Sequence, residues 1–137
     1  MARDDDGHYA VIDIGSNSVR LVVYDHLGRA PLPRFNEKSL CGLGDGLAES
    51  NRLAQEAIDL TLHALHRYTA VAEAMGVGRI DIIATEAVRR AKNGPFLVNA
   101  IEEQTGLKTH VLSGKEEARF AALGVVAGFH RPRGLVG

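Results

Sequence analysis

Apolar and polar positions divide the chain into an opening run of strands and a later alternation of helices and strands. Tyr9-Ala-Val-Ile-Asp-Ile and residues 19–24 are apolar and β-branched, and the Gly-Ser-Asn between them is turn chemistry, which predicts a β-hairpin. A third strand over about 34–40, ahead of the glycine-rich Gly42-Leu-Gly-Asp-Gly loop, extends this to a three-stranded antiparallel meander. Across 51–75, Leu53, Ala57, Leu60, Ala64, Tyr68, Val71 and Met75 recur every three or four residues, one face of a long helix capped by Ser50 or Asn51 and ended by Gly76. Arg79-Ile-Asp-Ile-Ile-Ala then reads as a strand. Residues 85–91 and 96–104 read as helices divided by Asn93-Gly94-Pro95, Lys108-Thr-His-Val-Leu as a strand, and 113–129 as an Ala-rich helix.

Three strands followed by alternating helices and strands predict an α/β fold with the later strands parallel and joined by right-handed crossovers. Residues 1–8 are expected to be a frayed end and 9–137 one domain. Leu135-Val-Gly follows a turn and reads as a strand cut short, so the chain is expected to be an amino-terminal fragment. A length of 137 residues suits a single domain. A net charge of -1 from 16 Lys+Arg and 17 Asp+Glu disfavours a broadly basic nucleic-acid binder. No apolar run approaches the ~18 residues that span a bilayer, so no membrane partner is expected. The one cysteine, Cys41, can form no internal disulfide, and the expected location is the cytoplasm.

Chemistry collects where the strands end, because open α/β sheets bind ligands beyond their carboxyl ends. The first strand runs into Asp13-Ile-Gly-Ser-Asn-Ser. Gly15 permits close backbone approach, and Ser16, Asn17 and Ser18 add polar donors suited to a phosphate oxygen, although Gly-Ser-Asn is also ordinary hairpin chemistry. Asp13, interrupting an apolar strand, could hold a divalent cation together with substrate phosphates. The middle strand runs into Thr85-Glu-Ala-Val-Arg-Arg. Thr85 can cap a helix there, and Arg89 and Arg90 face different ways, so one can reach a site while the other is solvated. Lys92 and Lys115 could widen a cationic rim.

At the third end, Ser113 and Glu116 match the Ser-x-x-Glu capping box, which gives Glu116 a structural task. Glu117 lies about 100° further around the helix. It is free of that task and is either a candidate general base or a solvated first-turn carboxylate favoured by the helix dipole. His63 and His66 share a helix face but bring no further metal ligand, and Cys41 reads as packing.

Three segments in order carry a family resemblance: Val11-Ile-Asp-Ile-Gly-Ser-Asn-Ser, Ala84-Thr-Glu-Ala-Val-Arg-Arg-Ala-Lys-Asn and Leu112-Ser-Gly-Lys-Glu-Glu-Ala-Arg. They resemble the exopolyphosphatase/guanosine pentaphosphate phosphohydrolase family, within the superfamily of actin, sugar kinases and heat-shock ATPases. The resemblance implies a ribonuclease-H-like domain and hydrolysis of the terminal phosphate of polyphosphate or guanosine pentaphosphate. It further implies magnesium, with manganese an alternative, and a homodimer of the full-length protein. Carried over by position, Asp13 places the metal, Gly15, Ser16, Asn17 and Ser18 hold phosphate, Arg89 contacts the substrate and Glu117 is the base. Glu86 departs from the Ser or Thr common there, and the family's second glycine-rich phosphate loop and second domain are absent from these residues. The rival readings are a kinase or ATPase of the same superfamily and a non-catalytic polyphosphate or alarmone sensor.

Overall fold

The computed structural model describes residues 7–26 and 31–123. Strands β1 (His8–Ile14), β2 (Ser18–Tyr24) and β3 (Pro33–Leu40) come first, followed by the short helix α1 (Leu47–Ser50) and the long α2 (Gln55–Ala74). Then come β4 (Val77–Ala84), α3 (Glu86–Arg90), α4 (Gly94–Thr105), β5 (Thr109–Val111) and α5 (Gly114–Leu123). The five strands form one sheet in the order β3-β2-β1-β4-β5. β1–β2 and β2–β3 are antiparallel, whereas β1–β4 and β4–β5 are parallel. This is the α/β, ribonuclease-H-like arrangement that the pattern and the resemblance together imply.

Period-2 alternation decides which face of the sheet is core. Ala10, Ile12 and Ile14 of β1 lie opposite Val23, Leu21 and Val19 of β2, and all six are buried. Ile82 and Ala84 of β4 extend the layer beside Ile12 and Ile14. Helix α2 covers this face, resting on β1, β2 and β4, and α4 packs against α2 and β5. The intervening positions, Tyr9, Val11 and Asp13 on β1 and Arg20, Val22 and Tyr24 on β2, occupy the opposite face and are at most partly buried.

Several expectations change. His8 is not frayed but pairs with Val77 at the start of β1. The long helix begins at Gln55, because Asn51 turns left-handed (φ 60°) and donates its N–H to the Leu47 carbonyl, closing α1. Neither Ser50 nor Asn51 caps α2, which starts after Ala54 without a side-chain cap. Leu53 is buried but extended, held by Asn93, whose Oδ1 accepts from Leu53 N at 2.7 Å while Nδ2 donates to the Leu53 carbonyl at 3.0 Å. On α2 itself Leu60 is 52% exposed, and Ile58, Thr61 and Leu65 join Ala57, Ala64 and Tyr68 in the buried stripe. Gly94 and Pro95 open α4 rather than lying between helices, and Gly94 is required because a Cβ there would run into the Val88 carbonyl. The expectations for residues 1–6, for the far end of the Ala-rich helix and for the Leu135-Val-Gly strand lie outside the described residues.

Candidate active site

Parallel pairing sets three chain ends abreast. Ile14 aligns with Ala84, and Ala84 with Val111, so β1, β4 and β5 all stop at one edge of the sheet. The Leu112 N–H extends the pairing to the Ala84 carbonyl at 2.9 Å, and the Thr85 N–H reaches the Ile14 carbonyl at 3.2 Å. A cleft of about 500 Å³ opens beyond this edge, lined by Asp13, Gly15, Ser16, Thr85, Glu86 and Glu117 with Ile83, Leu112 and Phe120. The three polar segments thus converge on one place.

The first wall is the β1–β2 turn. Gly15 N–H donates to the Ser18 carbonyl at 2.9 Å, tightening it. The carbonyls of the next two residues point backward: Ser16 O accepts from Gly44 N at 2.7 Å, and Asn17 O accepts from Cys41 N and Gly42 N, each at 3.1 Å. Gly44 eases that approach, since a Cβ there would lie a tight 3.1 Å from the Ser16 Cβ. With their carbonyls tied to residues 41–44, the Ser16 and Asn17 N–H groups have no partner among the described residues. Successive unpartnered amides in a turn are the kind of donors that can receive an anion. Ser16 lines the cleft; Asn17 and Ser18 do not, and Ser18 begins β2 opposite Leu40. The supporting role of the 41–44 loop was missed from sequence, where the loop carried only the signal of its glycines.

Asp13 stands on the open face with Arg20 as cross-strand neighbour and Ile83 on the other side. Its carboxylate reaches water through the cleft but is walled by protein, and this burial raises its pKa above the ordinary range. Arg20 opposes the shift and the charge of Glu117 adds to it. Cys41, by contrast, is buried with its thiol pushed up by desolvation, in keeping with packing.

The α5 side of the cleft follows the capping box as expected. Ser113 N–H donates to Glu116 Oε1 at 2.9 Å, and Glu116 N–H to Ser113 Oγ at 3.0 Å. Glu117, released from that task, lines the cleft. Its Oε2 lies 3.3 Å from Arg89 Nη1, which also donates to the Leu112 carbonyl at 2.7 Å. Arg90 is the solvated member of the pair and meets Glu86, which lines the cleft, at 3.0 Å. Thr85 does not cap α3 through its side chain; its hydroxyl leans 3.4 Å toward the Ile14 carbonyl instead. Elsewhere in that segment Ala84, Ala87, Val88 and Ala91 are buried, Asn93 clamps Leu53, and Lys92 is exposed. His63 and His66 are exposed on α2, and no group of three or more His, Cys, Asp or Glu that could hold a metal occurs among the described residues.

Comparison with known proteins places the chain in a family. The sequence profile of the Ppx/GppA phosphatase family matches residues 22–136. Exopolyphosphatase 1 of Mycobacterium bovis is 29% identical over 116 residues, which are 84% of this chain and 34% of that protein. The crystal structure of the Aquifex aeolicus Ppx/GppA family member superposes with a TM-score of 0.80 at 32% identity, covering 87% of this chain and 39% of that one. An exopolyphosphatase from Cytophaga hutchinsonii gives 0.80 at 30%, covering 86% and 38%. The chain therefore spans about a third of the length of the curated relatives it matches, and it belongs to the Ppx/GppA phosphatase family.

Proposed function

We propose that this chain supplies the phosphate-binding and water-activating wall of a phosphoanhydride hydrolase that removes the terminal phosphate of inorganic polyphosphate or guanosine pentaphosphate. The observation that carries the reading is the convergence of the Ser16 turn, Asp13 and Glu117 on one cleft. The exopolyphosphatase names of its relatives point to polyphosphate as the first substrate to test.

The donor set suits a hard divalent cation. Three carboxylates, Asp13, Glu86 and Glu117, line the same cleft; Glu86 is paired with Arg90 and Glu117 with Arg89, and the desolvated Asp13 is a group whose charge a cation would favour. One or two carboxylates do not complete a coordination shell, and magnesium characteristically takes the remainder from substrate phosphates and water. Asp13 would hold the ion, with manganese an equal fit by ligand type. Once bound it would offset charge on the phosphoryl oxygens.

The chain's own residues do the rest. The Ser16 N–H, on the cleft lining, donates to an oxygen of the terminal phosphoryl group and fixes its position. Glu117 orients a water and takes its proton as the water oxygen bonds to phosphorus. The anhydride P–O bond breaks on the opposite side, and the shortened chain leaves with the bridging oxygen. Such a loose transfer asks the protein mainly for positioning and charge. We further propose that the cleft's second wall comes from polypeptide outside these residues, since the relatives are about three times as long.

The test is phosphate release, with magnesium, from long-chain polyphosphate and guanosine pentaphosphate offered in parallel to the full protein and to Glu117→Gln. Turnover of at least one substrate that falls by about 10²- to 10⁴-fold in the variant is expected for loss of a general base. Tight binding of both substrates without turnover would replace the hydrolase by a sensor.

A further inference from the structure

One nitrogen of the Arg89 guanidinium is already committed. Its side chain is 29% exposed, and a single nitrogen, Nη1, donates both to the Leu112 carbonyl and to Glu117 Oε2. Leu112 is the residue at which β5 hands over to the capping box, its own N–H bound to Ala84. Arg89 therefore ties α3 to the β5–α5 junction and to the one α5 carboxylate that faces the cleft. The cleft lining includes Glu117 but not Arg89, which instead borders a groove with Val88, Gly94, Pro95 and Val98. A phosphate in the cleft meets Glu117 first, and the Arg89 nitrogen nearest to it, Nη1, is the one held by the Leu112 carbonyl and Glu117.

A glutamate on the first turn of a helix has three rotatable bonds, and the backbone fixes none of them. The capping box orders Glu116 and leaves Glu117 to find its own partner. Arg89 is that partner: with Oε2 held, Oε1 is left for a water.

We infer that Arg89 is a positioning residue that orients the Glu117 carboxylate, rather than a residue that anchors substrate phosphate. The inference rests on the reading of Glu117 as the base. Misplacing a reacting group by about 1 Å can cost ~10²-fold in rate.

The experiment compares Arg89→Gln, Arg89→Lys, Glu117→Gln and the double variant Arg89→Gln/Glu117→Gln in steady-state hydrolysis of polyphosphate by the full protein. Arg89→Gln should lower kcat by ~10²-fold with KM within about twofold, since the loss is of geometry and not of ground-state binding. Arg89→Lys should recover part of that loss. The double variant should be no slower than Glu117→Gln alone, because the two residues act as one unit. A KM raised about tenfold at unchanged kcat, or multiplicative losses in the double variant, would overturn the inference while leaving the hydrolase reading intact. Full activity of Glu117→Gln would remove both. Should Arg89→Gln lose the native melting transition, Arg89→Lys with and without Glu117→Gln supplies the same cycle.

Discussion

The two faces of the sheet are made by the same strands and obey different rules. On the α2 face Ala10, Ile12, Ile14, Val19, Leu21 and Val23 are almost entirely buried, and each is apolar. On the other face the residues between them include Asp13, Arg20, Tyr9 and Tyr24, and only Val11 and Val22 are aliphatic. A strand in the middle of a sheet can thus hold a carboxylate next to Ile12 and Ile14 without burying it in the core, since adjacent side chains point to opposite faces. The first face holds the backbone still, and the second uses that stillness to aim chemistry at the strand ends.

Neighbouring substitutions on β2 put that contrast to its hardest test. Leu21 is fully buried, and Leu21→Ala should cost about 2–5 kcal/mol, the range for truncating a buried leucine. That is a large part of the total stability of a typical domain, roughly 5–15 kcal/mol. Val22, one residue on and facing the other way, is partly exposed, and Val22→Ala should cost under about 1 kcal/mol. Urea unfolding of the two variants decides it. Equal losses would mean that the second face is packed as tightly as the first.

How much of this could be read from sequence depended on how far apart the partners lie. The hairpin, the parallel strand ends and the Ser113–Glu116 box were legible because alternation, turn residues and capping are local chemistry. The separation of Glu117 from Glu116 followed from helix geometry alone. What could not be read was set by distant partners. Asn93 grips Leu53 across 40 positions and keeps 51–54 out of the helix that the three- and four-residue spacing suggested. Residues 41–44 turn the Ser16 and Asn17 carbonyls away from the cleft, a task invisible in a short glycine loop. The division of labour between Arg89 and Arg90 likewise depended on where β5 ends.

Asp13→Asn sharpens the comparison in the opposite direction, by removing function without removing stability. Its folded-state pKa is raised by burial, so the charged form is disfavoured on folding. The resulting penalty is absent at pH values below the ordinary carboxylate pKa, where folded and unfolded chains are both protonated. It grows as pH rises through the raised folded value and is constant above it. The asparagine variant should therefore melt slightly higher than the native protein near neutral pH and equal to it in acid. Because the group is open to water, the gain should stay below about 1 kcal/mol. Phosphate release should fall, with more magnesium needed for half-maximal rate. A variant less stable at neutral pH would show that Asp13 holds the sheet together.

The smallest effect on hydrolysis is expected at the opposite end of the open face. Tyr9 shares that face with Asp13 but lies four residues earlier, about 13 Å along the strand. Its hydroxyl donates to Asp81 Oδ2 at 2.7 Å, and its ring stacks on Tyr24 at 6.2 Å and lies 5.9 Å from the Arg79 guanidinium carbon. Burial, with the Asp81 hydrogen bond adding to it, pushes the phenol pKa up, so Tyr9 remains a neutral donor at any pH the fold meets. Tyr9→Phe keeps both ring contacts and deletes one partly buried hydrogen bond, a loss of roughly 0.5–1.5 kcal/mol. Hydrolysis should be unaffected, because none of these groups lines the cleft at the strand ends. A Tyr9→Phe variant of normal stability but lowered kcat would show that the whole open face, and not only its carboxyl-terminal edge, takes part in the reaction.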